Sequence, residues 1–331
     1  MRALENVLIN ALEQGLIYAF MAMGVLLTFI MLGFPDLTVE GTFPLGAAVT
    51  ATAVVSGISP VYAVILGSLA GGLAGAATGL MHTKLKINNI LAGIITTSAI
   101  YTIMLRLMGR PNTPLLSYDN VYGQVLGWIG ISQSQLTAIQ NHIAIILILS
   151  VAVLVLRLIM GWFLATDLGL AIRATGNNER MIRNLGVNTD NTKLIALVIS
   201  NCLVAFSGAL ACQVQGFADV GMGIGVLVAS IASVIIGESL FGKRSVGWLL
   251  TGVILGSIFY RGVLALALHL GFPAHDFKLI TAVLVLAALS IPLLKYKKRK
   301  NGVFNGSTVL RWHQAILSLF ENKAGGRDVT R

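Results

Sequence analysis

The residues of this chain that could act on a ligand are few, and four of them are embedded in apolar sequence. Asp36 and Glu40 fall in Phe34-Pro-Asp-Leu-Thr-Val-Glu-Gly-Thr-Phe-Pro-Leu-Gly46, Asp219 precedes Gly221-Met-Gly-Ile-Gly225, and Arg261 lies well inside the apolar run 247–270. By helix rise Arg261 would stand about 14 Å from the outer end of that run, a strain for snorkelling. A charge at mid-bilayer costs several kcal/mol unless it is paired or wet. Two readings stand: Arg261 pairs with Asp36, Glu40 or Asp219 beside a solute route, or it forms a static ion pair that locks two helices. Arg106 is only a few residues from an outer end, where snorkelling accounts for it.

The stretch 34–46 gathers two carboxylates, two prolines and two glycines where apolar sequence would be expected. Non-helical backbone at membrane depth survives only where it is buried in protein or lines a cavity. The stretch is therefore a broken or re-entrant pathway element, or else a cytoplasmic turn between two helices. Catalytic constellations are not visible. Gly242-Lys-Arg-Ser245 lacks the upstream glycine and the strand of a phosphate loop. Gly221-Met-Gly-Ile-Gly225 opens a membrane helix and reads as a close-packing or helix-breaking element. His82, His142, His269, His275 and His313 have no metal-ligand spacing. Glu238, near Lys243 and Arg244, reads as a surface ion pair. The expectation is a protein that is not an enzyme and binds no metal or cofactor of its own.

A second kind of chemistry, docking, is written into the polar island Thr166 to Lys193. Asp167 can start a short helix through Ala171, Ile172 and Ala174 that Gly176 ends, and a second stretch runs from Asn178 to Leu185, closed by Gly186. Leu170, Ile172, Met181, Ile182 and Leu185 supply apolar contacts among the charges. Two short helices parallel to a membrane could seat in a groove of a cytoplasmic partner. A solvated linker would need no such helical grammar.

The elements that must hold these residues are membrane helices. A chain of 331 residues, 56% hydrophobic and only 11% charged, with a mean hydropathy of +0.84, is not an ordinary soluble domain. Its 36 glycines suit close helix packing in lipid. The fold class is an all-α, polytopic helical bundle with spans near 15–33, 42–57, 59–82, 88–109, 141–161, 194–214, 222–241, 247–270 and 277–294, about nine within a range of eight to ten. Each run is long enough, or nearly so, for a hydrocarbon core of about 30 Å.

The net charge of +10 would suggest nucleic acid in a soluble protein, but here the bases follow the spans. Lys84 and Lys86, then Arg173, Arg180, Arg183 and Lys193, then Lys243 and Arg244, then Lys295, Lys297, Lys298, Arg299 and Lys300 occupy every second connection. The positive-inside rule makes those connections cytoplasmic and sets the C-terminus inside. The N-terminus is then outside, or inside if 34–57 is re-entrant. Residues 1–294 form the membrane-spanning domain, with 166–193 as its cytoplasmic segment. Residues 295–331 form a basic tail whose stretch Ser307 to Phe320 could lie on the inner leaflet as an amphipathic helix anchored by Trp312.

Three smaller features complete the reading. The outer connection 110–140 carries Tyr118, Tyr122 and Trp128, suited to an interfacial belt. Cys202 and Cys212 fall in one helix about 15 Å apart by helix rise, too far to bridge. Gly33-Phe-Pro-Asp-Leu37 and Gly216-Phe-Ala-Asp-Val220 echo one another at Gly, Phe and Asp. On opposite sides of the membrane they would mark an inverted repeat, although a match this short also arises by chance. No cleavable signal peptide is expected, because the apolar run behind Arg2 and Glu5 reads as a retained helix.

With these residues in place, the chain resembles the inner-membrane permease family of ATP-binding-cassette importers that includes the branched-chain amino acid and ribose permeases. The resemblance rests on Asp36-Leu-Thr-Val-Glu-Gly41 with Leu45-Gly-Ala47, then Gly169-Leu-Ala-Ile-Arg-Ala-Thr-Gly176 with Asn184-Leu-Gly-Val187, then Ser207-Gly-Ala209, the Gly-rich 216–225 and Ile236-Gly-Glu238. It covers roughly residues 10 to 295. The run Gln213-Val-Gln-Gly-Phe-Ala-Asp219 is most similar to a branch of uncharacterised or tryptophan/tyrosine-type permeases.

That resemblance implies half of a translocation pore in the plasma (inner) membrane for a small polar solute, an amino acid by the branch. It implies as partners a cytoplasmic ATPase that uses the ATP, an extracytoplasmic solute-binding protein, and a second permease, a homodimer in the simplest case. No nucleic acid is involved. Asp36, Glu40, Asp219 and Arg261 become the pathway candidates. Asp167, Arg173, Gly176, Asn177, Glu179, Arg180 and Arg183 become the candidates for ATPase coupling. The rival classes are an ion-coupled secondary transporter, in which a carboxylate binds the coupling ion, and a structural membrane protein that transports nothing.

Overall fold

A computed structural model describes residues 2–131, 136–242, 245–272, 279–284 and 286. In chain order its elements are α1 (Arg2–Val25), a π-helical segment (Leu26–Met31), α2 (Val39–Val55), α3 (Pro60–Thr83), α4 (Asn89–Met108), β1 (Asn112–Pro114), α5 (Val121–Trp128), α6 (Ala138–Phe163), α7 (Asp167–Asn177), α8 (Glu179–Asn184), α9 (Thr189–Gln215), β2 (Phe217–Asp219), a 3-10 turn (Val220–Gly223), α10 (Val226–Phe241) and α11 (Val246–His269). Among the described residues seven helices are long and apolar enough to cross a membrane, and α2 is a shorter apolar helix. Eight of the nine expected runs coincide with these. The ninth, 277–294, is described only at 279–284 and 286, where it is helical. Lys243, Arg244, the basic run 295–300 and the amphipathic stretch 307–320 lie outside the described residues.

Local sequence sets the ends of the helices. Asn88 accepts from the Ile90 N–H to start α4, and Gly109, at φ +66°, stops it. A Thr137/Gln140 capping box starts α6. Pro60 opens α3, at a position where its missing N–H costs nothing.

The bundle is organised around α9. Gly71, Gly75 and Gly79 of α3 meet Asn201, Leu197 and Leu194 of α9 in reverse order, so the two helices run antiparallel. A Cβ on Gly75 would stand 2.5 Å from the Leu197 carbonyl oxygen, which shows why small residues line this seam. On another face Ser200 and Ser207 donate to the carbonyls of Gly24 and Ile17, both at 2.8 Å, so α1 also runs against α9. Ser257 of α11 donates to the Gly15 carbonyl at 2.6 Å. One end of the bundle therefore carries α7, α8 and the start of α9, and the opposite end carries the two-stranded β1–β2 ribbon and α5. Cys202 and Cys212 both lie in α9 and are free.

The break expected over 34–46 is shorter than the sequence suggests. Only 32–38 is non-helical, and α2 runs from Val39 straight through Pro44. Proline inside a helix deprives the carbonyl four residues earlier of its donor, and here that carbonyl, on Glu40, faces Gly223 of the 3-10 turn. Glu40, Gly41 and Pro44 are thus helical residues whose irregularity is buried against protein.

Candidate functional site

The helical bundle is interrupted twice, once after α1 and once after α9. In the first, Gly33 at φ +68° turns the chain after the π segment, and Asp36 Oδ1 accepts from the Thr38 N–H at 2.9 Å. In the second, Gly216 at φ +75° turns the chain after α9, and Asp219 Oδ1 accepts from the Gly221 N–H at 2.7 Å. Each interruption reads glycine in the left-handed region, Phe, any residue, then an aspartate that folds back on the N–H two residues later. The first follows a helix running toward the α7–α8 end, and the second follows one running away from it. The short sequence echo is therefore matched in backbone geometry as well as in letters. The two segments touch where Gly223 packs on Pro44, whose Cδ a Cβ there would meet at 2.8 Å.

Asp36 is 2% exposed and makes no ion pair among the described residues. Its carboxyl is met by hydrogen bonds: the Asn201 amide donates to Oδ2 at 2.7 Å, and the Thr42 hydroxyl donates to Asn201 Oδ1 at 2.8 Å. Thr38 and Thr78 hydroxyls lie 2.7 Å apart, and Thr78 donates to Thr96 at 2.8 Å. This knot ties the start of α2 to α9, α3 and α4. Buried polar groups specify a unique arrangement only when satisfied in this way. Asn201, which the sequence reading passed over, is the centre of the knot. Its signal was an amide amid apolar residues at a helix-seam position.

The structure brings Glu40, in the first turn of α2, against the turn that follows Asp219, and leaves Arg261 outside. The expected ion pair of Arg261 with Asp36, Glu40 or Asp219 is replaced by neutral partners. Its guanidinium lies 3.4 Å over the Tyr18 ring and donates to Gln14 Oε1 at 3.2 Å. The cause is the α1–α11 seam: Gly15 abuts Ile258 one turn away, which aims Arg261 along α1. An aromatic face and an amide oxygen can hold a desolvated guanidinium without a carboxylate. Tyr18 in turn packs on Phe43 of α2, ring centroids 5.4 Å apart. A buried acid that the sequence reading missed, Glu13, is 1% exposed and bonded to His142 at 2.9 Å. Its position just ahead of the expected first span hid it.

At the α7–α8 end, Thr166 caps α7 and Asn178 caps α8, so Asp167 is the first helical residue and not the cap. Asp167 and Glu179 occupy first turns, where negative charge suits the helix dipole. One face of α7 buries Gly169, Ile172 and Thr175, while Asp167, Leu168, Leu170, Arg173 and Asn177 are exposed. Gly176 does not end α7. It lies inside the helix, where the absence of a Cβ lets the Met31 and Leu32 backbone close onto it.

Behind that face is a charged clamp. Glu179 Oε1 accepts from Lys193 at 2.8 Å, from Thr189 at 3.2 Å and from Arg183 at 3.3 Å. Arg183 and Lys86 both donate to Asp190, at 3.1 and 3.2 Å. Burial by itself would raise the Glu179 carboxyl, but the hydrogen bond and charge of Lys193, with Thr189 and Arg183, outweigh it and hold it below its ordinary value. The clamp fastens α8 to the first turn of α9 and to the α3–α4 connection. Among the described residues Arg173 and Arg180 make no ion pair and remain available at the surface.

Comparison with known proteins identifies the family. The family model described as branched-chain amino acid transport system / permease component matches residues 7–289. The tyrosine transport system permease protein of Clostridioides difficile strain R20291 is 38% identical over 88% of this chain and 94% of its own length. The galactofuranose transporter permease protein of Escherichia coli K12 is 30% identical over 89% and 82% of the two chains. The ribose import permease protein of the same strain is 28% identical over 86% and 85%. These relatives are membrane subunits of transporters and not enzymes, and the helices long enough to span a bilayer fit that role. The chain is therefore a multi-pass membrane protein that belongs to the branched-chain amino acid transport system / permease component family.

Proposed function

We propose that this chain is the membrane-spanning subunit of an importer powered by a separate cytoplasmic ATPase, and that its solute is an amino acid handed over by an extracytoplasmic binding protein. The observation that carries this reading is the α7–α8 platform. Two capped helices offer exposed Leu168, Leu170, Arg173, Arg180 and Met181 to a partner, while clamp and glycine contacts join them to the bundle. An interface with apolar anchors and free arginines suits a protein partner. The similarity to a tyrosine transport permease supports an amino acid over a sugar.

On this reading the platform faces the cytoplasm, and the C-terminus lies on the same side. Movement of the partner is felt at once by the π-helical segment that follows α1, through Gly176 on Met31 and Leu32, and by α9, through Glu179 and Asp190. Asp36, Glu40 and Asp219 mark the two breaks about which the helices rock between states, and Arg261 holds α11 to α1 away from them. A second permease, another copy of this chain in the simplest assembly, completes the pore.

The test is co-purification and uptake. An ATPase subunit should be retained by the detergent-extracted protein, and the double charge reversal Arg173→Glu with Arg180→Glu should release it and stop uptake. Unchanged uptake in that variant overturns the platform assignment. Uptake that runs on a proton or sodium gradient without ATP would instead favour an ion-coupled carrier.

A further inference from the structure

Arg157 is a charge on a stretch of helix that otherwise turns hydrocarbon toward its surroundings. From Val151 to Phe163 the exposed side chains of α6 are Val151, Leu154, Val155, Leu158, Ile159 and Trp162, and all are apolar. Arg157, partly exposed, sits at the edge of that face, beside the seam with α11. Its Nε donates to the Thr251 hydroxyl at 2.8 Å and its Nη2 to the Gly247 carbonyl at 3.4 Å. Both partners are neutral. Among the described residues Arg157 makes no ion pair, and its Nη1 makes no hydrogen bond.

The two partners set the guanidinium beside the first two turns of α11, at the platform end of the bundle. A helix of 24 residues is about 36 Å long and, when centred, outruns a hydrocarbon core of about 30 Å by about 3 Å at each end. Gly247 therefore stands where head groups give way to acyl chains. Beside the guanidinium the surface is hollow. Gly161 follows Arg157 by four residues and lies on the same side of α6, and a side chain there would lean back over the turn of Arg157. A Cβ on Gly161 would meet only Leu250 Cδ1, at 3.9 Å, and one on Gly247 would meet nothing within 4 Å. Helix packing therefore requires neither glycine. Exposed Trp162 and Trp248 each follow one of the two glycines, and the Trp248 ring is fixed by its N–H on the Phe241 carbonyl at 2.5 Å. Tryptophan is the side chain that favours head-group depth.

We propose that Arg157, with the notch at Gly161 and Gly247 and the rings of Trp162 and Trp248, binds the phosphodiester of an anionic phospholipid whose acyl chains lie along the exposed face of α6. A guanidinium meets a phosphate with paired N–H donors, and both N–H groups of Nη1 remain to be met once Thr251 and Gly247 are served. Hydrocarbon cannot meet them. A phospholipid brings the acceptor and the apolar tail together, whereas a free anion would leave the apolar face uncovered. Basic pockets between membrane helices hold acidic head groups on the cytoplasmic side by the same means. The inference rests on the importer reading only for the leaflet, because that reading turns the platform end toward the cytoplasm, where the membrane surface is negative. Since α6 leads directly into α7, an occupied site braces the root of the platform.

Quenching of the neighbouring indoles by brominated lipids tests this in the detergent-purified full chain carrying Trp128→Phe and Trp312→Phe, so that Trp162 and Trp248 report alone. Brominated phosphatidylglycerol should quench at a concentration about fivefold or more below that needed with brominated phosphatidylcholine. Arg157→Gln, whose amide can still donate to Thr251, and Gly161→Leu, which fills the notch and keeps the guanidinium, should each bring the two lipids level, and Arg157→Lys should restore part of the preference. Should Arg157→Gln fold poorly, Gly161→Leu decides alone. Equal quenching by the two lipids in the parent chain, or a preference that survives both substitutions, overturns the site. Inorganic phosphate, set against chloride at the same ionic strength, should leave the preference intact; if it abolishes it, the notch takes a free anion and the lipid is refuted. Uptake by the assembled transporter in vesicles separates this from the importer reading: ATP-driven uptake without a lipid preference refutes only the site, whereas a preference with uptake that ignores ATP refutes the importer and keeps the site.

Discussion

Replacing Asn201 by Leu probes the knot that holds the broken span. The substitution removes the 2.7 Å amide donor to Asp36 Oδ2, the acceptor for Thr42, and the bond from Asn201 to the Leu197 carbonyl at 2.9 Å. The other hydrogen bonds to Asp36 come from Thr38 alone among the described residues, and the side chain is 2% exposed, so water cannot substitute for the Asn201 amide without opening the seam. Removing one partner of a buried hydrogen bond costs about 1–3 kcal/mol, because the other is left unsatisfied. The expected loss is about 3 kcal/mol, a factor of roughly 150 in the folding equilibrium. Thermal or detergent unfolding of the purified protein measures it. Asn201→Ala, which cannot crowd Gly75, should cost a similar amount, and Asp36→Leu with Asn201→Leu should cost less than the two single changes together by about 2 kcal/mol. Strict additivity, or a loss below about 0.5 kcal/mol, would mean that Asp36 is hydrated in the resting protein and that the knot does not hold α2.

Three further outcomes are expected. Gly176→Val should lift α7 off Met31 and Leu32, cutting ATP-driven uptake about tenfold or more while the ATPase remains bound; equal uptake per bound ATPase would remove that contact from the coupling route. Arg261→Leu, which loses a desolvated cation–π contact, should cost about 2 kcal/mol in unfolding assays, and Arg106→Leu should stay within about 0.5 kcal/mol; equal small effects would make Arg261 a bystander. The Glu179 carboxyl is held below 4.5 in the folded chain, so its stabilisation is fully present above that value and is lost as the pH falls through the lowered one. A nitroxide at Asn184 should therefore sharpen at acid pH, and at neutral pH in Glu179→Gln, and an unresponsive spectrum in both would separate the clamp from α8.

Much of the architecture was legible because the bilayer imposes length and apolarity on each span. Where the reading slipped, the deciding quantity was tertiary. The stretch 34–46 looked broken throughout, yet α2 continues through Pro44 because Gly223 covers its irregularity. Gly176 looked like a stop signal, yet it serves a backbone contact made by residues far away in sequence. Arg261 called for an acid, but a tyrosine face and a glutamine oxygen on α1 sufficed, and no spacing rule points to them. The caps at Thr166 and Asn178 place the platform helices within a residue of expectation, since capping is local chemistry. Asn201 and Glu13 escaped notice because their importance lies in which helix they face.

The unbroken run of α9 makes it a lever with a short stroke. Asn201 stands twelve residues beyond Thr189, about 18 Å along the axis, so tilting the helix by about 10° around Asn201 would swing its charged tip by roughly 3 Å. That displacement is comparable to the length of one hydrogen bond. A hinge placed at the knot would thus need only a small angular swing at the platform to exchange one set of partners for another, and stiffening α9 further would leave the stroke unchanged while softening it would waste the push.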